Sequence, residues 1–287
     1  AAKYFYDAQG GALFSAICEL DEYYPTRTEQ SIFVQHRAAI AECIGMGRQL
    51  VDLGAGDGRK AQQWFGALRT SRYVAVDIAR AAVEPTLARI GLKYRDLDVL
   101  GVLSDFTRGL DLPREAITAP AVFFYPGSSI GNFAPDDALQ FLAAVRAHCA
   151  RAGAGSGLLI GVDTKKDEAR LTAAYDDALG LTAAFNRNAL RHVNRIIASD
   201  FDPRAFIHRA FYNARESRIE MQLEAGSEQR VAIGASLRTF AAGERITTEY
   251  SYKYAPAEFE ALLRRADFAE IRLWQDPAKD FAVFYAR

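Results

Sequence analysis

Short apolar runs alternate with stretches of helical periodicity through the middle of the chain. The runs predict strands at residues 49–53, 72–77, 97–103, 121–125 and 158–162. Between them, apolar residues recur at helical spacing and predict helices at 60–68, 79–89 and 136–149. Strands that alternate with helices indicate an α/β fold, in which a parallel sheet is covered on both faces.

The end of the chain has a different pattern. A helix is predicted at 256–265 and strands at 270–274 and 281–285, with a short turn containing Asp276 and Pro277 between the strands. Such a turn joins antiparallel strands, so we expect a terminal β-hairpin on the otherwise parallel sheet.

Two further segments do not follow the alternation of strand and helix. Residues 1–28 are rich in aromatic side chains, and residues 166–253 combine helices predicted at 168–179 and 182–197 with strand patterns at 218–223 and 247–254. We interpret the two segments as one inserted α+β domain that binds substrate. The sheet domain then comprises residues 29–165 and 254–287.

Composition and charge narrow the class of partner. The chain has 35 Lys and Arg residues against 36 Asp and Glu residues, which gives a formal net charge of −1. A protein that binds nucleic acid or a membrane surface usually carries a basic excess. We therefore expect a small or zwitterionic substrate, no nucleic-acid or membrane partner, and a monomer.

The spacing of the cysteine and histidine residues indicates the cellular compartment and whether a metal site is expected. Cys18, Cys43 and Cys149 form no CxxC pair, which is typical of reduced thiols in a cytoplasm. The four histidines show no zinc-ligand spacing, and no apolar run approaches the roughly 18 residues that a membrane span needs. We expect a cytoplasmic protein without a metal site.

The strongest local motif is VDLGAGDG at residues 51–58, where the first predicted strand ends. A dinucleotide fingerprint requires GxGxxG, but here the third glycine, Gly58, comes one residue early. An acid two residues before Gly54, followed by Gly-x-Gly-x-Gly, resembles the S-adenosylmethionine loop of Rossmann-like methyltransferases. The alternative is a tight strand-to-helix turn without a ligand.

Two acidic positions follow the next strands. Asp77 ends the second strand, where a carboxylate can accept hydrogen bonds from ribose hydroxyls; the alternative is a cap on the following helix. Asp105 and Phe106 follow the third strand and resemble the adenine contact of that methyltransferase class. The chain has no GxxxxGK[ST] motif, which disfavours nucleotide hydrolysis.

A more specific resemblance lies outside the sheet motifs. The chain resembles the histidine-specific Nα-methyltransferases that form hercynine in ergothioneine biosynthesis, and the similarity covers nearly its whole length. The segments that carry the resemblance are YFYDAQG at 4–10, EYYPTRTE at 22–29, GSSIGNF at 127–133, AYDD at 174–177, TAAFNRN at 182–188, RIEM at 218–221 and TEYSYKY at 248–254.

The resemblance implies roles for individual residues. The cofactor S-adenosylmethionine is expected at Tyr6, Gly54, Lys60, Asp77, Asp105 and Phe106. The amino and carboxylate groups of L-histidine are expected at Tyr23, Asn132 and Tyr175, with Tyr23 and Asn132 orienting the reacting amine. Glu249 and Ser251 are expected to hold the imidazole, and the remaining substrate positions are Phe14, Gly127, Ser129 and Met221.

The sequence departs from the family's pattern at a few places. Tyr125 and Pro126 precede Gly127 where a more apolar pair is usual, and Ser129 replaces a usual threonine. The glycine loop also lacks the Ser and Thr residues typical of the family. These departures affect loop geometry and affinity, but they remove no functional group.

The residue types suit methyl transfer to an amine. Glu249 and Ser251 are two apart on a predicted strand, so both point to one face. Glu249 can accept from one imidazole N–H, and Ser251 can pair with the other nitrogen as donor or as acceptor. Amino acids without an imidazole would leave these groups unpaired. Such a reaction requires neither a metal nor a covalent nucleophile.

Structural roles are the alternative for each position. Glu249 with Ser251 also fits a solvated strand face, Tyr23 and Met221 fit a core, and Asn132 fits a turn. Tyr175 and Lys60 also fit exposed helix positions. At the level of function, the alternatives are methylation of another amino acid or a histidine derivative, a non-catalytic S-adenosylmethionine or amino-acid sensor, and a dehydrogenase.

Overall fold

The computed structural model describes residues 4–106 and 109–287. In chain order its helices and strands are α1 (Ala8–Ile17), α2 (Tyr24–Ile44), β1 (Gln49–Leu53), α3 (Arg59–Leu68), β2 (Arg72–Asp77), α4 (Arg80–Lys93), β3 (Asp98–Leu103), β4 (Ala121–Tyr125), α5 (Pro135–Ala152), β5 (Gly157–Asp163), α6 (Glu168–Ala173), α7 (Leu181–Ile197), β6 (Phe206–Asn213), β7 (Arg218–Ala225), β8 (Gln229–Ile233), β9 (Ser236–Phe240), β10 (Arg245–Tyr252), α8 (Pro256–Arg265), β11 (Ile271–Gln275) and β12 (Phe281–Ala286).

The chain divides into two compact units. The larger unit comprises Arg27–Thr164 and Tyr254–Arg287, and the smaller unit comprises Ala1–Thr26 and Lys165–Lys253. Among the helices of the described residues, none has the length and apolar character needed to cross a membrane.

A seven-stranded sheet in the order β11-β12-β5-β4-β1-β2-β3 forms the centre of the larger unit. Neighbouring strands pair in parallel along the part of the sheet ordered β5-β4-β1-β2-β3. Strand β12 pairs antiparallel with both β5 and β11. Strands β1, β4 and β5 are buried along their whole length, as expected where both faces of a sheet are covered. The predicted α/β class and the terminal hairpin are confirmed.

Helix α2 is an element that the hydrophobic pattern did not predict. It runs from Tyr24 to Ile44 and buries Ile32, Phe33, Ile40 and Ile44 in the core of the larger unit. These positions recur at helical spacing. The signal was therefore present, but exposed polar residues between the buried ones diluted it.

The smaller unit combines helices with antiparallel sheets. Strands β10, β7 and β6 form a three-stranded sheet in that order, and β8 with β9 forms a hairpin. One of its two apolar cores contains Phe5, Tyr24, Phe185 and Met221, and the other centres on Phe206.

The predicted helix over 168–179 is too long. Helix α6 ends at Ala173, and the following residues form a turn. The reason lies in Asp177, whose two carboxylate oxygens accept from the backbone N–H groups of Leu181 and Thr182 at 2.9 and 2.7 Å. This carboxylate satisfies the first free donors of α7, so residue 177 cannot continue the preceding helix.

Candidate active site

Backbone conformation explains the glycines of the loop after β1. Gly54, Gly56 and Gly58 have φ values of 74°, 51° and 64°. This left-handed region costs other residues about 1–2 kcal/mol. A Cβ on Gly58 would also lie 3.0 Å from Thr86 Cγ2 and from the Tyr73 hydroxyl. The spacing Gly-x-Gly-x-Gly therefore defines a loop whose backbone can closely approach a ligand.

The carboxylate of Asp77 supports this loop from the end of β2. Its Oδ2 accepts from the Gly56 N–H and its Oδ1 accepts from the Ala79 N–H, both at 3.0 Å. Each carboxylate oxygen keeps a further acceptor site. The residue thus links the glycine loop to the start of α4 and can still accept hydrogen bonds from ligand hydroxyls.

Asp52, the acid before the glycines, lies beneath the loop and is only 3% exposed. Its Oδ2 accepts from the Tyr73 hydroxyl at 2.9 Å. Burial raises the pKa of Asp52 to about 7, although the hydrogen bond from Tyr73 acts against the rise. The residue contributes to the stability of the loop through a buried hydrogen bond.

Phe106 provides an aromatic surface beside the glycine loop. Its ring packs edge-on against Tyr125, with 6.0 Å between centroids, and at a tilt against Phe141, at 5.8 Å. A Cβ on Gly54 would lie 3.9 Å from the Phe106 ring. Asp105 and Phe106 are both half-buried, so the pair has the exposure that a ligand contact needs.

Glu29 connects two other candidate positions, and sequence reasoning gave it no role. Its carboxylate is fully buried and accepts from Lys60 Nζ at 2.6 Å and from the Gly127 N–H at 2.7 Å. Gly127 has φ of 76°, and a Cβ there would lie 3.2 Å from Lys60 Nζ. No local sequence motif indicates these contacts, because the three residues lie far apart in the sequence.

The loop after β4 carries the remaining candidates of the larger unit. Ser128 has φ of 58°, and its hydroxyl accepts from the Asp163 N–H at 2.9 Å. The Ser129 hydroxyl donates to the Pro126 carbonyl at 3.2 Å. Asn132 ends the short 3₁₀ helix Ser129–Asn132 and is exposed. Its amide is thus accessible to a ligand.

Strand register brings together candidates in the smaller unit. Met221 on β7 lies opposite Glu249 on β10, and Ile219 lies opposite Ser251. Directly opposed residues of an antiparallel pair share a face. A bulge at Thr248 shifts the register just before Glu249, which is how a strand re-aims a side chain. Met221, Glu249 and Ser251 therefore project from one face of this sheet.

Tyr175 joins this face through its hydroxyl. The Tyr175 hydroxyl lies 2.8 Å from Ser251 Oγ, and Lys253 Nζ donates to both, at 3.0 and 2.8 Å. Tyr175 follows α6 in a turn and is buried, so the alternative of an exposed helix position is wrong. Lys253 is only 2% exposed, and sequence reasoning assigned it no role.

A buried histidine fixes the backbone at Tyr175. His208 Nε2 lies 2.9 Å from the Tyr175 carbonyl, and its Nδ1 lies 2.8 Å from the Asn186 side-chain nitrogen. A carbonyl only accepts, so Nε2 carries the proton and Nδ1 accepts from Asn186. Burial lowers the pKa of His208, which agrees with this neutral form.

Aromatic rings lie beside these polar groups within the smaller unit. Tyr23 packs edge-on against Tyr175 at 6.3 Å and against Phe14 at 6.0 Å between centroids. Tyr6 packs edge-on against Phe14 and Phe185, at 5.6 and 5.7 Å. Tyr6, expected with the cofactor positions, thus lies in the same aromatic cluster as the substrate candidates Phe14 and Tyr23.

Burial shifts the ionisation of two candidates. It raises the pKa of Glu249 to about 7, against the opposing effect of the Lys253 ammonium. Burial, followed by the neighbouring Tyr175, raises the pKa of Tyr23 well above its usual value. Tyr23 is therefore a neutral phenol near pH 7, whereas Glu249 can change its charge when a ligand binds.

The candidates fall into two groups. Those of the larger unit are Gly54, Lys60, Asp77, Asp105, Phe106, Gly127, Ser129 and Asn132. Those of the smaller unit are Tyr6, Phe14, Tyr23, Tyr175, Met221, Glu249 and Ser251. Within each unit, the contacts described above connect residues that are distant in the sequence.

Solved structures agree with the sheet topology. The chain is similar to the CcbJ methyltransferase from Streptomyces caelestis, with a TM-score of 0.51, 13% identity, and coverage of 89% of this chain and 95% of the other. An S-adenosylmethionine-dependent methyltransferase from Clostridium acetobutylicum gives a TM-score of 0.50 at 10% identity, covering 94% of this chain and 92% of the other. The fold is that of the class I methyltransferases.

Sequence comparisons are more specific. The family described as "histidine-specific methyltransferase, SAM-dependent" matches residues 1–287. The histidine N-alpha-methyltransferase of Mycobacterium tuberculosis is 40% identical, with coverage of 99% of this chain and 88% of that protein. Ergothioneine biosynthesis protein 1 of Neurospora crassa is 31% identical over 94% of this chain, which spans 31% of the fungal protein. The chain belongs to the histidine-specific, S-adenosylmethionine-dependent methyltransferase family.

Proposed function

We propose that this protein transfers methyl groups from S-adenosylmethionine to the α-amino nitrogen of L-histidine, up to the trimethylated product hercynine. The observation that carries the proposal is the face formed by Met221, Glu249 and Ser251, with Tyr175 hydrogen-bonded to Ser251. A carboxylate and a hydroxyl on one face offer partners for both nitrogens of an imidazole. Family membership supports the same substrate.

The candidate ligand-binding groups of the larger unit suit S-adenosylmethionine. The left-handed glycines allow close backbone approach, and Asp77 has acceptor sites for ribose hydroxyls. Asp105 and Phe106 suit the exocyclic amine and the ring of adenine, and the Lys60 ammonium completes the set. The bound cofactor supplies a methyl group that its sulfonium already activates.

The remaining task of the protein is to align a neutral amine. Tyr23 remains protonated near neutral pH because burial raises its pKa, so it acts through hydrogen bonds rather than as a phenolate base. The Asn132 amide offers both a donor and an acceptor. We assign Tyr23 and Asn132 to the amine and Tyr175 to the substrate carboxylate, with Phe14, Gly127, Ser129 and Met221 lining the substrate position.

A substrate panel tests the proposal. The protein is incubated with S-adenosylmethionine and each of the common amino acids separately, and products are identified by mass spectrometry. We expect stepwise gains of one, two and three methyl groups on histidine alone. Faster methylation of tryptophan or tyrosine would contradict the choice of histidine. Cofactor binding without methylation of any amino acid would instead support a sensor.

Two further expectations remain predictions. A cytoplasmic location follows from the cysteine usage, and a monomeric state is expected. Light scattering coupled to size-exclusion chromatography checks the oligomeric state. A thermal-shift comparison of S-adenosylmethionine with nicotinamide dinucleotides tests the dehydrogenase alternative, which predicts stabilisation by the nicotinamide cofactor.

A further inference from the structure

Glu29 is a buried carboxylate for which the proposed function has no role. It lies on α2, its side chain is fully buried, and its Oε2 forms an ion pair with Lys60 Nζ at 2.6 Å. Its Oε1 accepts from the Gly127 N–H at 2.7 Å. A Cβ on Gly161 of β5 would overlap Glu29 Oε1, so a glycine leaves room for the carboxylate. Burial of a charged group is costly unless the group is paired and hydrogen-bonded in this way.

The two partners of Glu29 are candidate positions of the site. Lys60 is among the residues expected to hold the cofactor, and Gly127 is among those expected to line the substrate. The Glu29 side chain has no exposed surface, whereas 37% of the Lys60 side chain is exposed, so the ammonium is the accessible member of the pair. Its charge also acts on the residue beneath the glycine loop, because burial raises the pKa of Asp52 and Lys60 opposes that rise.

A cation at this position conflicts with the charge of the ligands. S-adenosylmethionine carries a positive sulfonium. Each transfer breaks the S–CH₃ bond, whose electron pair stays on sulfur, and forms an N–CH₃ bond with the lone pair of the amine. The positive charge thereby passes from sulfur to nitrogen, so the site holds a positive ligand charge before and after transfer. An ammonium without a counter-charge would repel this charge, since like charges interact more strongly where water is excluded.

We propose, on the basis of the cofactor site in the proposed function, that Glu29 is a positioning residue whose buried negative charge holds and neutralises the Lys60 ammonium, so that the site accepts the cationic sulfonium. The ion pair fixes Lys60, and the hydrogen bond from the Gly127 N–H fixes the loop after β4. Because Glu29 is fully buried, it acts through these two residues rather than by contact with a ligand.

The test compares S-adenosylmethionine with S-adenosylhomocysteine, which lacks only the methyl group and the positive charge. Affinities are measured by calorimetry without histidine at about pH 8, where glutamate is ordinarily ionised. The ratio of the two affinities reports on the charge of the site. A general packing defect weakens both ligands alike and leaves the ratio unchanged, and thermal unfolding establishes that each variant is folded.

Three variants change the charge of the ion pair. Glu29→Gln keeps an oxygen that can accept from the Gly127 N–H but removes the negative charge, and affinity for S-adenosylmethionine should fall about 3- to 15-fold relative to that for S-adenosylhomocysteine. Lys60→Gln leaves the carboxylate without its cation and should shift the ratio in the opposite direction. The double variant Glu29→Gln/Lys60→Gln is neutral and should return the ratio to within about 2-fold of the wild-type value.

Asp98→Asn is the matched control. It also removes a carboxylate that pairs with a cation of the larger unit, since Asp98 Oδ2 lies 2.5 Å from Arg72 Nε. Asp98 begins β3, whereas the glycine loop follows the end of the parallel strand β1, so the two lie at opposite edges of the sheet. The control should keep the wild-type ratio.

Two results would overturn this inference: an unchanged ratio in Glu29→Gln or in Lys60→Gln, or a double variant that keeps the ratio of Glu29→Gln. The expected ratios in a protein that does not methylate histidine would overturn the proposed substrate and support the charge-neutralising role of Glu29. The two failures are therefore distinguishable.

Discussion

The two units present their candidate ligand groups in different ways. In the larger unit, backbone conformation dominates: three left-handed glycines follow one strand, and Asp77 at the end of the next strand accepts a hydrogen bond from the Gly56 N–H. In the smaller unit, side chains from distant segments converge, and the hydrogen-bonded residues Tyr175 and Ser251 are 76 positions apart.

The two units also differ in the partners of their buried carboxylates. The buried carboxylate of Glu29 in the larger unit has a cation and a backbone donor as fixed partners. Glu249 in the smaller unit has a pKa of about 7 because it is buried. The first arrangement is complete before a ligand binds, whereas the second leaves a group whose ionisation a ligand can change. We therefore expect substitutions of Asp77 and of Glu249 to affect different ligands.

The largest effect is expected from Asp77→Ala. This change removes the acceptors for the Gly56 and Ala79 N–H groups and for the proposed ribose hydroxyls. With about 1.5–3 kcal/mol for each hydrogen bond to a charged group, S-adenosylmethionine affinity should fall by at least about 100-fold. Calorimetric titration checks this. Asp57→Ala, an exposed acid of the same loop, is the control, and an equal loss in both variants would contradict a specific role for Asp77.

Asp52→Asn should alter stability rather than ligand specificity. Burial raises the pKa of Asp52 to about 7 from 3.8, so its favourable contribution is complete below about pH 4 and is lost as the pH rises through 7. Asparagine does not titrate and can still accept from Tyr73. Between about pH 5 and pH 8 the stability of the variant should therefore rise by about 3 kcal/mol relative to that of the wild-type protein. Urea unfolding at about pH 5 and pH 8 measures the difference, and a pH-independent difference would contradict the prediction.

Glu249→Ala should weaken histidine binding by about 1.5–3 kcal/mol, or roughly 10- to 150-fold, with S-adenosylmethionine affinity unchanged. Calorimetry with each ligand separately checks both parts. Glu224→Ala is the matched control, because Glu224 lies on the same sheet and pairs with Arg209 and Arg245 instead. Unchanged histidine affinity in Glu249→Ala would contradict the assignment of the imidazole partner.

Gly127→Ala should have the smallest effect of these substitutions. We expect it to lower the stability of the larger unit alone. The left-handed φ of 76° and the contact at 3.2 Å to Lys60 Nζ disfavour a Cβ, which should cost about 1–2 kcal/mol of stability. Gly66→Ala is the control, because a Cβ there meets no atom within 4 Å and alanine favours the helix by about 0.5–1 kcal/mol. Thermal unfolding compares the two, and stabilisation of Gly127→Ala would contradict the argument.

The sequence predicted most of the larger unit because its elements follow local periodicity. Strands β1, β2 and β4 have the predicted bounds, and the glycine loop was visible as a contiguous motif. The smaller unit was harder to predict. Strand β6 and the hairpin of β8 and β9 were not predicted, and α6 is shorter than predicted because Asp177 caps α7.

The candidate site shows the same contrast. Gly54 and Asp77 could be proposed from position alone, whereas Glu249 and Ser251 depended on the family resemblance, since alternating polar residues also fit a solvated strand. Glu29 and Lys253 lie in two of the segments that carry the resemblance, but no role was predicted for either residue. Their importance rests on contacts with Gly127 and with Tyr175, which only the folded chain brings together.

The most direct test of the central claim locates the transferred methyl groups. Histidine is incubated with the protein and S-adenosylmethionine that carries a deuterated methyl group, and the product is fragmented in a mass spectrometer. If Glu249 and Ser251 hold the imidazole, all label should lie on the α-amino nitrogen, with up to three groups on one molecule. Label on a ring nitrogen would contradict the account, because a nitrogen held by Glu249 or Ser251 has no free lone pair to react.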